Sequence, residues 1–192
     1  MGKNAYVTGV VAKGRSMSVI KLAACVTAVL SLSACATVPV GAALHTADAV
    51  PMSHYSGTWH EIGRHPMALT DGCVAGYTTY SAGTASNKIA IEDGCHDKTP
   101  GGKLKSIHAD GTLLDAGGAN AKLKASYPFF ITYNYWVLYE APDHSWFLSA
   151  TPDMKNLWIY TRDIPSADAL KVMVAKAQAL GYDTRQLEFP AQ

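Results

Sequence analysis

Two cysteines, a set of histidines and one glutamate close to a tryptophan are the residues of this chain whose chemistry needs explaining. Cys73 and Cys95 stand 22 positions apart. Thiols so placed can stay free, bond to each other, or supply half of a metal site. A structural zinc site needs four ligands at fixed spacing, and only His96 lies beside either cysteine. The histidines, His60 and His65 among them, are scattered, and no pair at ligand spacing recurs with a carboxylate partner. No serine sits in a nucleophile motif. No metal, no cofactor and no enzymatic activity are expected. A haem held by histidine, or a catalytic role, is the less favoured alternative. Glu61 follows Trp59 by two, so on a strand the two side chains share a face with residues 63 and 65. A carboxylate inside an apolar fold must be paired or hydrogen-bonded. It could meet a polar ligand head or an internal tyrosine, and a β-bulge would instead turn it outward.

Which of these states the thiols adopt depends on the compartment. From Met17 to Ala34 the chain reads MSVIKLAACVTAVLSLSA: one lysine, then an uncharged apolar run too short to span a bilayer comfortably. It has the proportions of a secretory signal, with Met17 an alternative start. The run ends in Leu32-Ser33-Ala34-Cys35, which resembles a bacterial lipobox. The resemblance implies cleavage before Cys35, lipidation of that residue and, with Ala36 following, sorting to the outer membrane. Residues 1–34 are then leader, 35–52 a lipidated tether, and 53–192 one domain, large enough to bury a core. The leader takes away Lys3, Lys13, Arg15 and Lys21 and no acidic residue, so the formal charge moves from +1 to −3. That balance leaves no electrostatic footprint for nucleic acid. In an oxidising compartment the even pair Cys73 and Cys95 is expected to form a disulfide.

The elements that must position these groups are short and β-rich. Runs at Thr58–Arg64, Ala75–Tyr80, Ile89–Glu92, Ser106–Leu114, Ala121–Ser126, Tyr133–Glu140, Trp146–Ala150 and Leu157–Arg162 alternate with turn-forming breaks such as DKTPGG and DAGGAN. Eight strands at this spacing predict an all-β fold, an antiparallel up-and-down barrel that leaves no exposed edge. One helix follows, near 166–180. Ser166 is a good N-cap, Leu170, Met173, Val174, Ala177 and Leu180 repeat at helical spacing, and Gly181 is placed to end it. Its apolar stripe is expected to pack on the outer wall, where strands apolar on both parities need cover.

Gly57-Thr58-Trp59, with Glu61 and Arg64 after it, resembles the G-x-W motif of lipocalins. The run from Asn134 to Arg162 and the helix followed by Gly181-Tyr182-Asp183 resemble later lipocalin segments, so the likeness covers Tyr55 to Phe189. With the lipobox it resembles the bacterial outer-membrane lipoprotein lipocalins. The resemblance implies that Trp59 plugs the closed end, with Arg162 across its ring and Gly57 letting the chain pass beneath. It implies a Cys73–Cys95 bridge at the rim. It further implies a fatty acid or lysophospholipid as ligand, and it leaves room for a homodimer. Asp143-His144 departs from the family's usual acidic–tyrosine pair. Candidate ligand contacts are Glu61, Tyr77, Phe129, Phe130, Tyr133, Tyr135, Trp136 and Trp146, the two phenylalanines lying in a loop at the open end. A structural lipoprotein with a filled barrel is the second expectation.

Overall fold

The computed structural model describes residues 44–192, so the leader and Cys35 lie outside the described residues. Eight strands pair in chain order: β1 (Gly57–Arg64), β2 (Cys73–Ala82), β3 (Lys88–Asp97), β4 (Leu104–Leu113), β5 (Lys122–Ser126), β6 (Thr132–Glu140), β7 (Trp146–Ala150) and β8 (Leu157–Thr161). Every neighbouring pair is antiparallel, and β8 returns to β1 to close the barrel. β3 continues past Glu92 through Asp93-Gly94-Cys95-His96-Asp97. That polar stretch reads locally as a turn, but β2 and β4 pair it on both sides.

Two apolar layers result. Inside, Trp59, Tyr80, Ile91, Leu123, Phe147 and Trp158 form one cluster. Outside, Leu138, Leu148, Ala150, Leu157 and Ile159 meet Met173 and Ala177 of α1 (Ala167–Ala179). β7 and β8 are therefore apolar on both parities because each parity has its own layer to join. The α1 start is fixed by Ser166, whose Oγ accepts from the Ala169 amide at 3.2 Å.

Three bulges decide which side chains enter the barrel. Register shifts fall between Glu61 and Gly63 on β1, Val74 and Tyr77 on β2, and Val137 and Tyr139 on β6. The first lies just past Glu61, which stays inside with Trp59. Beyond it Arg64 points inward, and the expected face of Gly63 and His65 turns out. Gly63 sits beneath the Phe189 ring, and His65 packs against Tyr182 with centroids 5.8 Å apart.

Residues 44–52, expected as tether, are packed against the barrel. The Ala47 amide donates to the Val137 carbonyl and the Val50 amide to that of Ala119, each at 2.8 Å. Val50 is buried. At the other terminus a strap pairs with β1 where it bulges. Arg64 and Glu188 exchange backbone hydrogen bonds of 3.1 and 2.9 Å, and the Ala75 amide reaches Ala191 O at 2.7 Å.

Candidate ligand-binding cavity

One end of the barrel is shut. Trp59 is completely buried, and its Nε1 donates to the His54 carbonyl at 2.9 Å. The Arg162 guanidinium lies 3.5 Å over its ring centroid and donates to the carbonyls of Thr58, Ser53 and His54 at 3.0, 3.3 and 3.4 Å. Gly57 has φ +75°, a backbone conformation that side chains disfavour. That dihedral, rather than lack of space, selects glycine there, since an added Cβ would meet Arg162 at an ordinary 3.5 Å.

Glu140 completes the closed end. Its Oε2 lies 3.0 Å from His54 Nδ1 and its Oε1 2.8 Å from His144 Nδ1. His144, the departure from the lipocalin pattern, thus braces the carboxylate, and Asp143 caps the turn by accepting from the Ser145 amide and hydroxyl. Burial lowers the His54 pKa from its ordinary value. Burial alone would raise Glu140, but the two imidazoles hold it below its usual range. His54 Nε2 has no hydrogen-bond partner among the described residues, which fits a neutral ring donating through Nδ1.

Above this floor lies a cavity of about 350 Å³, at the lower end of the roughly 300–1,000 Å³ typical of small-molecule sites. Its mouth is formed by the β1–β2 connection, the start of β4 and the β5–β6 connection, with Leu69, Ile107 and Ile131 among its residues. Tyr80, Ile91, Leu123 and Trp158 give apolar wall. Two polar groupings interrupt it. In the first, Arg64 Nη1 donates to Glu61 Oε1 at 2.5 Å and Nε to Glu188 Oε1 at 2.5 Å, while Nη2 serves the Thr70 and Cys73 carbonyls at 3.1 and 3.0 Å. Burial pushes the Glu61 carboxyl up, against the pull of Arg64. In the second, Asp93 accepts from Thr78 Oγ1 at 2.6 Å and from the Tyr127 hydroxyl at 2.5 Å. The Tyr135 hydroxyl lies 3.1 Å from that of Tyr127. Burial raises the Asp93 pKa, against the two hydroxyl donors, which lower it. It also raises the tyrosine pKa values, so those hydroxyls stay protonated.

The eight candidate contacts divide. Glu61, Tyr133 and Tyr135 line the cavity, the tyrosines opposite inward-facing Ala125 and Leu123. Tyr77 borders the cavity too, but its ring is directed away from it. It is paired with His60 and Gly94 on the outer face, and its hydroxyl donates to Glu92 at 3.1 Å. An added Cβ on Gly94 would collide with the Tyr77 ring at 2.4 Å, so glycine makes that approach possible. Trp136 and Trp146 also face away from the cavity, packed against the outer cluster that carries the helix. Their strands satisfy both faces, which is why the aromatic runs concealed the parity. Phe129 and Phe130 are 89 and 102 % exposed and stand on the rim, not in the wall. Leu104, beside the mouth on β4, is exposed too, as are Lys98, Lys103 and Lys105. Cys73 and Cys95 are bonded, Cα atoms 5.5 Å apart, at that same end. Residues 73–95 thereby form a closed loop between β2 and β3.

Sequence reading named Tyr135 but missed Asp93, Thr78 and Tyr127 beside it, and it did not place Arg64 in the cavity. The signal for Asp93 was present, since Ile89, Ile91, Asp93 and Cys95 keep one parity. Among the described residues no three His, Cys, Asp or Glu side chains are grouped to hold a metal.

The model of the lipocalin-like domain matches residues 50–192. The chain belongs to the lipocalin family. This lipocalin is 29 % identical over 144 residues to temperature-induced lipocalin-1 of Arabidopsis thaliana, a match covering 71 % of this chain and 76 % of the plant protein. Its fold is that of insecticyanin from the tobacco hornworm Manduca sexta, with TM-score 0.59, 16 % identity, and 78 and 84 % of the two chains covered. Lobster apocrustacyanin A1 superposes with TM-score 0.57 at 14 % identity, over 73 and 78 % of the two chains. Lipocalins bind small hydrophobic ligands and act as carriers rather than enzymes, and the cavity described here is of that kind.

Proposed function

We propose that this lipocalin is a membrane-anchored carrier of single-chain lipids, fatty acids or lysophospholipids, held at an outer membrane by lipid on Cys35. The observation that carries the reading is the mouth of the cavity. Leu69, Leu104, Ile107, Phe129, Phe130 and Ile131 are all exposed around it, with Lys98, Lys103 and Lys105 on the same end. Apolar tips suit the acyl boundary of a bilayer, and lysines suit anionic head groups, each worth about 1 kcal/mol near a charged surface. A lipid leaving the membrane through such a rim passes into a largely apolar pocket without crossing water. The lipobox resemblance at Cys35 supports the same placement.

The test is native mass spectrometry of the full-length protein purified without reductant, followed by lipid extraction and by titration with palmitate and lysophospholipid. A co-purified or added single-chain lipid bound one to one is expected. A protein that emerges empty and refuses both additions points to the filled-barrel reading. The same spectra report whether the protein pairs with itself.

A further inference from the structure

The Asp93 group allows the ligand class to be narrowed, an inference that rests on the carrier reading. The protons of the group can be counted. Thr78 has one hydroxyl proton and gives it to Asp93 at 2.6 Å. Tyr127 gives its proton to the other Asp93 oxygen at 2.5 Å. Tyr135, 3.1 Å from the Tyr127 hydroxyl, is then left as the donor of that contact. Thr78 Oγ1 also stands 3.5 Å from the Tyr160 hydroxyl, a contact much longer than the one it makes to Asp93. Two hydroxyl protons are thus given to the carboxylate, and a third hydroxyl, that of Tyr135, backs Tyr127. Each Asp93 oxygen has accepted one hydrogen bond, and a carboxylate can accept about four. Among the described residues no cation pairs with Asp93; its partners are the two hydroxyls, and Glu92, of like sign, acts on it. Among the described residues the wall carries two cations, and both are engaged: Arg64 by Glu61 and Glu188, and Lys105, at the mouth, by Asp97. Ser149 and Tyr133 add hydroxyls elsewhere on the wall, free to act either way.

We propose that Asp93 is a specificity-determining residue, and that the cavity takes a single-chain amphiphile whose head donates hydrogen bonds, a hydroxyl or an amine, in preference to a free carboxylate. A donor head satisfies the spare lone pairs of Asp93. A carboxylate placed there finds acceptors and like charge. Entering tail-first, it instead lays alkyl chain over the spare lone pairs of Asp93 and leaves them unmet.

Four probes of one chain length separate charge from donor capacity: decanol, decylamine, decanoate and the methyl ether of decanol. Binding to the purified full-length protein is followed by calorimetry and by quenching of Trp158, which lines the pocket. Decanol and decylamine are expected to bind about tenfold tighter than decanoate, the scale of one hydrogen bond to a charged group, and decanol tighter than its ether. Asp93→Asn puts an amide donor beside the ligand, so decanoate gains and decylamine loses. Decanoate equal to decanol on the native protein overturns the inference while leaving the carrier reading intact, and that comparison needs no variant to fold. An unchanged ranking in a folded Asp93→Asn protein also overturns it. If none of the four probes binds, the carrier reading itself is lost.

Discussion

The two ends of this barrel solve the burial of polar groups in opposite ways. At the closed end each charged group is matched: Arg162 is spread over an indole and three carbonyls, and Glu140 is held between two imidazoles. Around the cavity the pairing is uneven: Arg64 is divided between Glu61 and Glu188, Lys105 at the mouth is paired with Asp97, and Asp93 has hydroxyls alone. A floor needs only to stay shut, so its groups can be satisfied by the protein itself. A wall that receives a ligand keeps acceptors in reserve. Stability should therefore be concentrated at the floor, and sensitivity to ligand and pH at the wall.

The largest effect expected is at the floor. Trp59→Ala should cost about 3–5 kcal/mol, the usual range for deleting a buried tryptophan, measured by urea unfolding. Loss below about 1 kcal/mol would mean the 3₁₀ turn Met52–Tyr55 closes the barrel without it. Next is the bridge. Reducing Cys73–Cys95, or replacing both with serine, should cost about 3 kcal/mol for the loop it closes, with the Trp59 region unchanged in near-UV circular dichroism. Arg162→Met keeps part of the packing and loses the cation–π contact and the carbonyl hydrogen bonds, for about 2 kcal/mol.

Acid should act on the two ends with opposite sign. His54 has a folded pKa below its ordinary 6.5, so the unfolded chain binds its proton first. The stability this residue supports is complete above pH 6.5 and is lost as pH falls below it. Glu140, also lowered, contributes stability above its ordinary 4.5 that disappears on further acidification. Glu61 and Asp93 are raised, so the folded state binds their protons first and acidification favours it. Asp93→Asn should then be more stable than the native protein at neutral pH and should lose stability more steeply between pH 7 and 4. Parallel stability curves for the two proteins would remove Asp93 from this balance. The smallest effect on stability is at the rim. Phe129→Ser with Phe130→Ser should change unfolding by no more than about 0.5 kcal/mol, as exposed sites do. It should also weaken binding to anionic vesicles; unaltered vesicle binding would separate the rim from the membrane.

How much of this was legible in the sequence follows the same division. Gly57-Thr58-Trp59 and Arg162 belong to a motif whose residues meet across one closed end, so type and order were enough. The strands and α1 were visible because their apolar periods are strong. The cavity wall was not, because it depends on parity, and parity depends on bulges at Ile62, between Val74 and Tyr77, and near Leu138. No residue type marks these; Ile62 and Leu138 are ordinary strand formers. The Tyr77 ring left the cavity at the β2 bulge, Trp136 and Trp146 were misplaced because their strands are apolar on both faces, and Glu61 stayed inside by one residue. Asp93 sat on an alternating run of isoleucines, but its neighbours Gly94 and Asp97 read as a turn.

The seam of the barrel also gives the protein a kinetic character. Arg162 reaches Thr58 across 104 positions, and Glu188 reaches Arg64 across 124. Contacts of such separation require a large loop to close before any of their energy is recovered. The strands β2 to β7 can pair hairpin by hairpin while β1 and β8 still stand open as edges. Folding should be slow, on the order of milliseconds to seconds or longer as in other β folds rich in non-local pairing. An open seam has neither a floor nor an Arg64 fixed between Glu61 and Glu188. The Asp93 group, carried by β2, β3 and the β5–β6 region, can come together before the seam does. The closed cavity is expected to form last, so ligand added during refolding should report on that final step.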